Sequence, residues 1–264
     1  MNFYTDQIGH TIQIESPPQR IISLVPSQTE LLASLGLDRE VVGITKFCIH
    51  PEDWFRTKTR VGGTKNVNFD RVAELNPDLV ICNKEENKEA DVKQLMEKYP
   101  VWTSDIHNLE DACRMMASIG EMTNKTNEVQ SLIDQIKKAF QEFSQHKPGP
   151  VRVLYLIWKE PYMAAGKDTF IDYMLSQCNF INVCNESYGR YPELTLEQIK
   201  ILKPRLIMLS SEPYPFKEKH VAEFKIYYPE ALSVMVDGEY FSWYGSRLVN
   251  APAYFKTVIQ GINL

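Results

Sequence analysis

Residues 68–82 read NFDRVAELNPDLVIC, and residues 195–209 repeat the same pattern as TLEQIKILKPRLIML. Each stretch begins with Asn or Thr, side chains that accept a hydrogen bond from a free N–H at the start of a helix. The tenth residue of each, Pro77 or Pro204, disfavours helical backbone at the residue before it, so a short helix should end there. The apolar run that follows predicts a buried strand.

Asp70 and Glu197 occupy the third position of the two stretches. The helix dipole favours a carboxylate at that position, so one interpretation is two surface acids that stabilise helix starts. The other interpretation is functional, because matching acids in two similar lobes could hold a basic partner with two-fold symmetry. The repeat predicts two such lobes, each presenting one acid at the start of a short helix.

Short apolar runs alternate with helical patterns along most of the chain, which predicts an α/β fold with mostly parallel sheets. The tetrad Ser27-Gln28-Thr29-Glu30 is a capping-box pattern, so a helix should open there and stop at Gly36. A closing helix is expected near 246–260. The expected strands lie near residues 20–25, 41–44, 79–82, 101–102, 151–157, 205–210 and 233–236.

The longest predicted helix covers residues 124–145 and ends at a Lys-Pro-Gly-Pro run that is typical of a linker. Its apolar side chains recur at helical spacing, namely Val129, Leu132, Ile133, Ile136, Phe140 and Phe143. We therefore predict an N-terminal α/β lobe at 1–122, an interlobe helix at 123–147 and a C-terminal α/β lobe at 148–264, with the ligand cleft between the lobes. Because bending a helix breaks main-chain hydrogen bonds, the lobes should close little on binding.

Composition narrows the class of protein. A net charge of −5 over 264 residues argues against nucleic acid as a main partner, and no apolar run is long enough to span a membrane. The N-terminus, MNFYTD, lacks the basic and apolar regions of a secretory signal. Five cysteines without a CxxC pair are expected to be small buried thiols, which fits a reducing compartment slightly better. They are Cys48, Cys82, Cys113, Cys178 and Cys184.

No nucleotide-binding, serine-hydrolase or zinc-protease motif is present in the sequence. The run Gly62-Gly63-Thr64-Lys65 lacks the earlier glycine of a phosphate loop and predicts a turn. Cys48 and His50 lie close together, so a metal site there is one interpretation, but a structural or ligand-contacting loop is favoured. We expect no enzyme activity, no covalently bound cofactor and no resident metal.

Aromatic residues are concentrated after the predicted strands. Ligands of open α/β sheets bind beyond the carboxyl ends of the strands, although core packing is the alternative for any single ring. Residues 239–247 read EYFSWYGSR, and no period would bury all of their rings. The group predicts a wide aromatic cleft suited to a bulky planar ligand. Its members are Phe47, Trp54, Trp158, Tyr162, Tyr188, Tyr191, Tyr240, Phe241, Trp243 and Tyr244.

Four stretches together resemble the helical-backbone substrate-binding proteins of ABC importers: RIISLVPSQTEL (20–31), VGIT (42–45), NPDLVI (76–81) and AGK (165–167). Members of this family bind cobalamin, ferric siderophores or haem, and the resemblance covers nearly the whole chain in order. It implies a monomeric solute-binding protein that captures a corrinoid or a similar metal chelate. It also implies a periplasmic or lipid-anchored location, whereas the missing signal leaves the cytoplasm open.

The resemblance also implies roles for individual residues. Phe47 and Tyr191 match aromatic residues of the ligand pocket, and Tyr162 matches a pocket Phe with an offset of one residue. Thr64 departs from the pattern, because a cobalamin-binding member has a pocket Trp at that position. The predicted ligand contacts are Phe47, His50, Thr64, Trp158, Tyr162, Tyr191, Tyr240, Trp243 and Arg247.

Asp70 and Glu197 fall on the two acids through which family members dock the importer's membrane subunits, by pairing with arginines. Two alternatives stay open at this stage. The ligand could be a ferric siderophore or haem, whose acidic groups Arg190 and Arg247 could bind. The protein could also be a cytosolic corrinoid-handling protein or enzyme that uses the same clamp without a transporter.

Overall fold

The computed structural model describes residues 2–145 and 148–262. It divides into two compact units, of which the first comprises Met1–Ile136 with Tyr244–Arg247 and the second comprises Lys137–Trp243 with Leu248–Leu264. The lobe boundaries expected from the sequence stay a prediction. His146 and Lys147, where the expected linker begins, lie outside the described residues.

The first unit is built around a parallel sheet of five strands. The strands of the whole unit, inside and outside that sheet, are β1 (Asn2–Thr5), β2 (Thr11–Ile14), β3 (Ile21–Ser23), β4 (Val41–Ile44), β5 (Thr59–Arg60), β6 (Gly62–Gly63), β7 (Asn66–Val67), β8 (Leu79–Asn83) and β9 (Val101–Ser104). Its helices are α1 (Pro26–Ser34), α2 (Glu52–Thr57), α3 (Phe69–Leu75), α4 (Glu89–Met96) and α5 (Leu109–Met122). The parallel sheet has the order β5-β4-β3-β8-β9, while β1 with β2 and β6 with β7 form two separate antiparallel pairs.

The second unit has a mostly parallel sheet of six strands. They are β10 (Val151–Trp158), β11 (Tyr162–Ala164), β12 (Phe180–Asn182), β13 (Glu193–Leu194), β14 (Leu206–Ser210) and β15 (Leu232–Val236). The order is β13-β11-β10-β14-β15, and β12 also pairs with β10. β11 runs antiparallel to both of its neighbours, β10 and β13, and the other strand pairs are parallel. The helices are α7 (Phe170–Gln177), α8 (Leu196–Leu202), α9 (Glu218–Tyr227), α10 (Glu239–Ser242) and α11 (Ala251–Ile262). These two sheets confirm the α/β fold expected from the sequence.

The repeated stretches fold alike, as the sequence predicts. The side chains of Asn68 and Thr195 each accept a hydrogen bond from the backbone N–H three residues on, over 3.0 and 3.2 Å. α3 and α8 both end at a residue in the left-handed conformation, Asn76 with φ 41° and Lys203 with φ 47°. A proline and then a buried strand follow in each unit.

An arginine holds the end of each repeated helix, a feature that the sequence analysis missed. Arg20 Nε donates to the carbonyl oxygen of Leu75 over 2.8 Å, and Arg152 Nη2 donates to that of Leu202 over 2.6 Å. Each acceptor is the last residue of its helix, where carbonyl groups lack partners within the helix. The two short helices are therefore fixed at both ends by similar contacts.

The longest helix is α6 (Thr126–Ser144), and the boundary between the two units falls within it. The expected apolar stripe is buried, with Val129, Ile133 and Ile136 in the first unit. In the second unit the rings of Phe140 and Phe143 lie 6.5 and 6.0 Å from that of Phe255 in α11. The helical spacing of the apolar residues thus predicted both the helix and its buried face.

Two local expectations are wrong. The tetrad Ser27–Glu30 does not cap a helix, because α1 begins earlier, at Pro26, with Val25 as its N-cap and no side-chain cap bond. Proline suits the first position of a helix, since its fixed φ is helical and its missing N–H would be unpaired there. The closing helix, expected near 246–260, begins only at Ala251, after a 3-10 turn at Ser246–Val249.

The cysteine prediction is confirmed, since all five are buried free thiols. Within residues 2–145 and 148–262, no helix has both the length and the apolar character needed to cross a bilayer.

Candidate functional site

In the first unit, a buried cysteine fixes the loop that follows β4. The Thr29 hydroxyl donates to Cys48 Sγ over 3.1 Å, and the Thr45 hydroxyl lies 3.2 Å from the same sulfur. Burial raises the pKa of the Cys48 thiol, so the group stays neutral and serves as a packed anchor. The neighbouring Phe47 is 51% exposed and lies beyond the carboxyl end of the strand.

The β6–β7 hairpin supports Phe47 from one side. The Gly63 position allows this close approach, because a Cβ there would lie only 3.1 Å from the Phe47 ring and 3.4 Å from the Lys46 side chain. The hairpin is tied to the loop by a hydrogen bond of 2.8 Å from Lys46 N to the Gly62 carbonyl. Thr64 follows Gly63 and is half-buried, so this predicted site residue lies next to the Phe47 support.

His50 is half-buried in the same loop as Phe47. Among the residues that the structure describes, no group of three or more His, Cys, Asp or Glu side chains is placed to hold a metal ion. The Cys48 sulfur faces threonine hydroxyls rather than a second metal ligand. The groups that this loop presents at its surface are therefore the exposed ring of Phe47 and the ammonium group of Lys46.

Arg247 lies in the segment of the first unit that comes from late in the chain, and it is paired there. Its guanidinium group donates to both carboxylate oxygens of Glu30, over 3.1 Å from Nε and 2.7 Å from Nη2. In the same segment the Tyr244 hydroxyl donates to Glu86 over 3.0 Å, and burial raises the pKa of Tyr244. The charge of Arg247 is thus balanced within the protein.

In the second unit, Trp158 ends β10 and is 41% exposed. The edge of its ring meets Tyr214, with 5.7 Å between the ring centroids. A hydrogen bond of 3.2 Å from Tyr214 N to the Ile157 carbonyl holds the two loops together. One side of Trp158 therefore packs on Tyr214 while the rest of the ring is exposed to solvent.

Two further predicted aromatics of this unit differ in exposure. Tyr191 is 41% exposed in the loop before β13. Tyr162 is half-buried at the start of β11, where its ring edge meets Phe224 at a centroid distance of 5.3 Å, and burial raises the pKa of Tyr162. Tyr191 therefore offers more surface to a ligand than Tyr162 does.

Trp243 and Tyr240 are engaged inside the second unit. Trp243 is only 6% exposed, and its Nε1 donates to Glu212 over 2.8 Å. Ser242 donates to the same carboxylate over 2.7 Å, while burial raises the pKa of Glu212. Tyr240 stacks on Tyr254, with 4.4 Å between centroids. The expectation that the rings of residues 239–247 stand outside the core is wrong for Trp243 and also for Phe241 and Tyr244, which are 0% and 5% exposed.

Asp70 and Glu197 are exposed at the second position of α3 and α8. Within the described parts of the chain, neither carboxylate forms an ion pair or a side-chain hydrogen bond. Asp70 and Glu197 therefore each present an available carboxylate at a helix start, one in the first unit and one in the second.

Three residues near these rings were missed in the sequence analysis: Lys46, Glu212 and Tyr214. The signal for two of them was available, because the run Glu212-Pro213-Tyr214-Pro215 follows β14 at its carboxyl end. The position of Lys46 over a neighbouring ring depends on side-chain conformation, which sequence spacing does not encode.

Half-exposed rings beyond the carboxyl ends of parallel strands lie where α/β proteins commonly bind small molecules. The chain matches the periplasmic binding protein family over residues 21–226 and belongs to that family. This confirms the family resemblance stated from the sequence, and the family consists of solute-binding proteins.

Several known proteins are similar to this chain. The vitamin B12-binding protein of Pectobacterium atrosepticum is 23% identical over 94% of this chain and 90% of its own length. An uncharacterised ABC transporter substrate-binding lipoprotein of Bacillus subtilis is 27% identical over 77% of this chain and 67% of its own. The structure of the periplasmic vitamin B12-binding protein of Vibrio cholerae superposes with a TM-score of 0.81 at 19% identity, covering 93% of this chain and 98% of that one.

A periplasmic haem-binding protein, BhuT, solved in complex with two haems, gives a TM-score of 0.78 at 20% identity, over 92% of this chain and 97% of its own. At such identities the structural likeness shows the two-lobed fold.

Proposed function

We propose that this protein captures a corrinoid or a similar metal chelate and delivers it to an ABC importer. Membership of the periplasmic binding protein family supports the solute-binding role. The names of the relatives support the ligand class and the transporter, because they include vitamin B12-binding proteins and an ABC transporter substrate-binding lipoprotein. The ligand is bound reversibly and without a covalent bond.

The observation that carries the ligand class is the exposure of three rings beyond strand ends. Phe47 is 51% exposed, and Trp158 and Tyr191 are each 41% exposed, although aromatic side chains of this size are usually well buried. A large planar ligand can cover such rings, and each ring contact contributes about 0.5–1.5 kcal/mol beyond the burial of area. We propose that these three residues carry most of the binding energy.

The remaining proposed contacts are of two kinds. His50, Thr64 and Tyr162 are half-buried next to the exposed rings and could add polar and edge contacts. Tyr240 is also half-buried, though it already stacks on another ring. We also propose Trp243 and Arg247 as ligand contacts. Each already donates a hydrogen bond to a carboxylate of its own unit, so a structural role is the alternative for both.

A spectral titration tests the proposed function. The purified protein is titrated with cyanocobalamin, dicyanocobinamide, haem and a ferric siderophore, and binding is read from ligand absorbance and tryptophan quenching. We expect saturable binding of at least one of these chelates, weakened about tenfold by Tyr191→Ala while the urea midpoint is unchanged. Failure of all four to bind would refute the proposal.

Haem is the second candidate ligand, and a specific observation favours it. The haem-binding protein BhuT shares the fold over 92% of this chain. Haem has a flatter ring system than a corrinoid and two carboxylates, so the same titration separates the two candidates by relative affinity.

We also propose that Asp70 and Glu197 dock the protein on the membrane subunits of the importer. The support is their matching position, their exposure and the absence of an ion pair to either carboxylate among the described residues. A carboxylate without an internal partner can form a bidentate pair with an arginine of another protein. An importer with two similar membrane subunits would present one arginine site to each unit.

Charge reversal tests the docking proposal. Asp70→Lys combined with Glu197→Lys should leave ligand affinity unchanged and abolish stimulation of the transporter ATPase, because like charges would face each other across the interface. A matched control is Glu110→Lys with Glu218→Lys, which reverses two other exposed first-turn acids, one in each unit. Normal stimulation by the first double variant would refute docking through these acids and leave the helix-stabilising interpretation.

A further inference from the structure

The first unit holds a lysine whose charge is not balanced near an exposed ring. Lys46 Nζ lies 5.0 Å from the centroid of the Phe47 ring. Across the residues that the structure describes, its ammonium group forms no ion pair and no hydrogen bond. A cation in this position is attracted by the negative face of the ring, and its charge has no carboxylate counter-ion among the described residues.

Two other cations near the proposed ligand residues are paired with carboxylates. Arg247 is bound to Glu30, with its two shortest contacts at 2.7 and 3.1 Å. Lys159, next to Trp158, lies 2.7 Å from a carboxylate oxygen of Glu223. Of the two arginines expected from the sequence to bind an acidic ligand group, Arg247 is therefore already paired with a carboxylate of the protein.

The hairpin keeps the lysine and the ring together. The backbone N–H of Lys46 donates to the Gly62 carbonyl over 2.8 Å. The adjacent Gly63 leaves room for both side chains, because a Cβ would meet the Phe47 ring at 3.1 Å and Lys46 Cε at 3.4 Å. An alanine there would have to displace at least one of them.

We propose that Lys46 binds an anionic group on the periphery of a chelate whose ring system lies on Phe47, a carboxylate or a phosphodiester. This inference rests on the proposed function and makes it more specific, because it assigns ligand charge recognition to Lys46 rather than to Arg247. An ammonium group placed over one face of a half-exposed ring can pair with such a substituent while the exposed part of the ring contacts the chelate. The ion pair also holds the chelate in one orientation.

Two pairs of probes test the inference, each pair differing in the anionic group. Haem is compared with its dimethyl ester, and cyanocobalamin with dicyanocobinamide, which lacks the phosphodiester together with the ribose and base attached to it. We expect the wild-type protein to prefer the anionic member of at least one pair by about tenfold, with the preference decreasing as salt is added. Which pair shows the preference distinguishes a carboxylate from a phosphodiester.

Three variants assign the preference to its source. Lys46→Gln should abolish the preference, and Lys46→Arg should retain it, because the charge remains. Gly63→Ala should weaken binding of both members of the pair, since it displaces the ring. Lys137→Gln, at an exposed lysine of α6, removes the same charge elsewhere and should leave the preference intact. Each variant is checked for folding by circular dichroism.

The outcomes separate the two proposals. If the wild-type protein binds chelates but Lys46→Gln keeps the full preference, or if no preference exists in either pair, the inference about Lys46 is overturned and the proposed function stands. If no chelate binds at all, the proposed function fails and the inference fails with it.

Discussion

Arg247 can serve as a ligand residue or as a structural tie, and one substitution separates these roles. Its side chain is 14% exposed and that of Glu30 is 23% exposed, with two short contacts between the groups. Exposed ion pairs contribute about 0.2–1 kcal/mol, whereas breaking a fully buried pair costs about 3–5 kcal/mol. This pair lies between these limits, so Arg247→Gln should lower the free energy of unfolding by about 2 kcal/mol.

That loss is measurable in two ways. With an unfolding entropy of about 2.1 cal/mol/K per residue, cooperative unfolding of a chain of 264 residues would shift the Tm by about 4 °C. Urea unfolding of the same sample gives the free energy directly. Glu30→Gln and the double variant complete a cycle that should show a coupling free energy of about 1–2 kcal/mol between the two side chains.

Ligand titration of the same variants distinguishes the structural role of Arg247 from a role in ligand binding. If the arginine is a structural tie, Arg247→Gln loses stability but binds chelates with nearly unchanged affinity. The opposite result, an unchanged urea midpoint together with affinity lowered tenfold or more, would refute this reasoning and place Arg247 in the ligand site. The control is Arg56→Gln, which removes the same charge from the exposed pair with Glu52 and should change stability little.

Three further predictions follow from single side chains. Trp158→Ala should weaken chelate binding about tenfold in a spectral titration with little loss of stability, because the ring is already 41% exposed. Glu212→Gln should keep both hydrogen bonds from Ser242 and Trp243 to Oε1. Because burial raises the pKa of Glu212, its contribution to stability falls as pH rises from the unfolded pKa through the folded one, so the variant should melt higher than wild type at pH 8 and lose that advantage towards pH 4. Thr195→Ala should cost about 1 kcal/mol in urea unfolding, since it removes the cap of α8, and an unchanged midpoint would show that the cap is energetically silent.

Features that depend on neighbours along the chain were predicted well from the sequence. The stripe on α6 and the caps at Asn68 and Thr195 involve residues within one or two helical turns, so their spacing alone identifies them. The prediction for the start of α1 was wrong although it also involved neighbouring residues, because two sequence signals competed. Proline at position 26 suits the first helical position and Ser27 is buried, and these two features outweighed the capping-box pattern.

Features that depend on distant parts of the chain were not predictable in this way. Arg247 finds Glu30 across 217 positions, and Trp243 finds Glu212 across 31. Such pairings arise only when the sheets have placed the loops side by side. The sequence could therefore indicate that these side chains belong near the strand ends, but not that carboxylates of the protein itself would engage them.

The fastening of α3 and α8 at both ends has a thermodynamic consequence for recognition. A binding partner that orders a mobile loop loses about 1–2 kcal/mol for each backbone residue that it immobilises. Asp70 and Glu197 stand on turns already fixed by an N-cap at one end and by Arg20 or Arg152 at the other. A protein that binds these acids restricts their side-chain rotamers but does not have to order their backbone, because that part of the entropic cost of recognition is met when each unit folds.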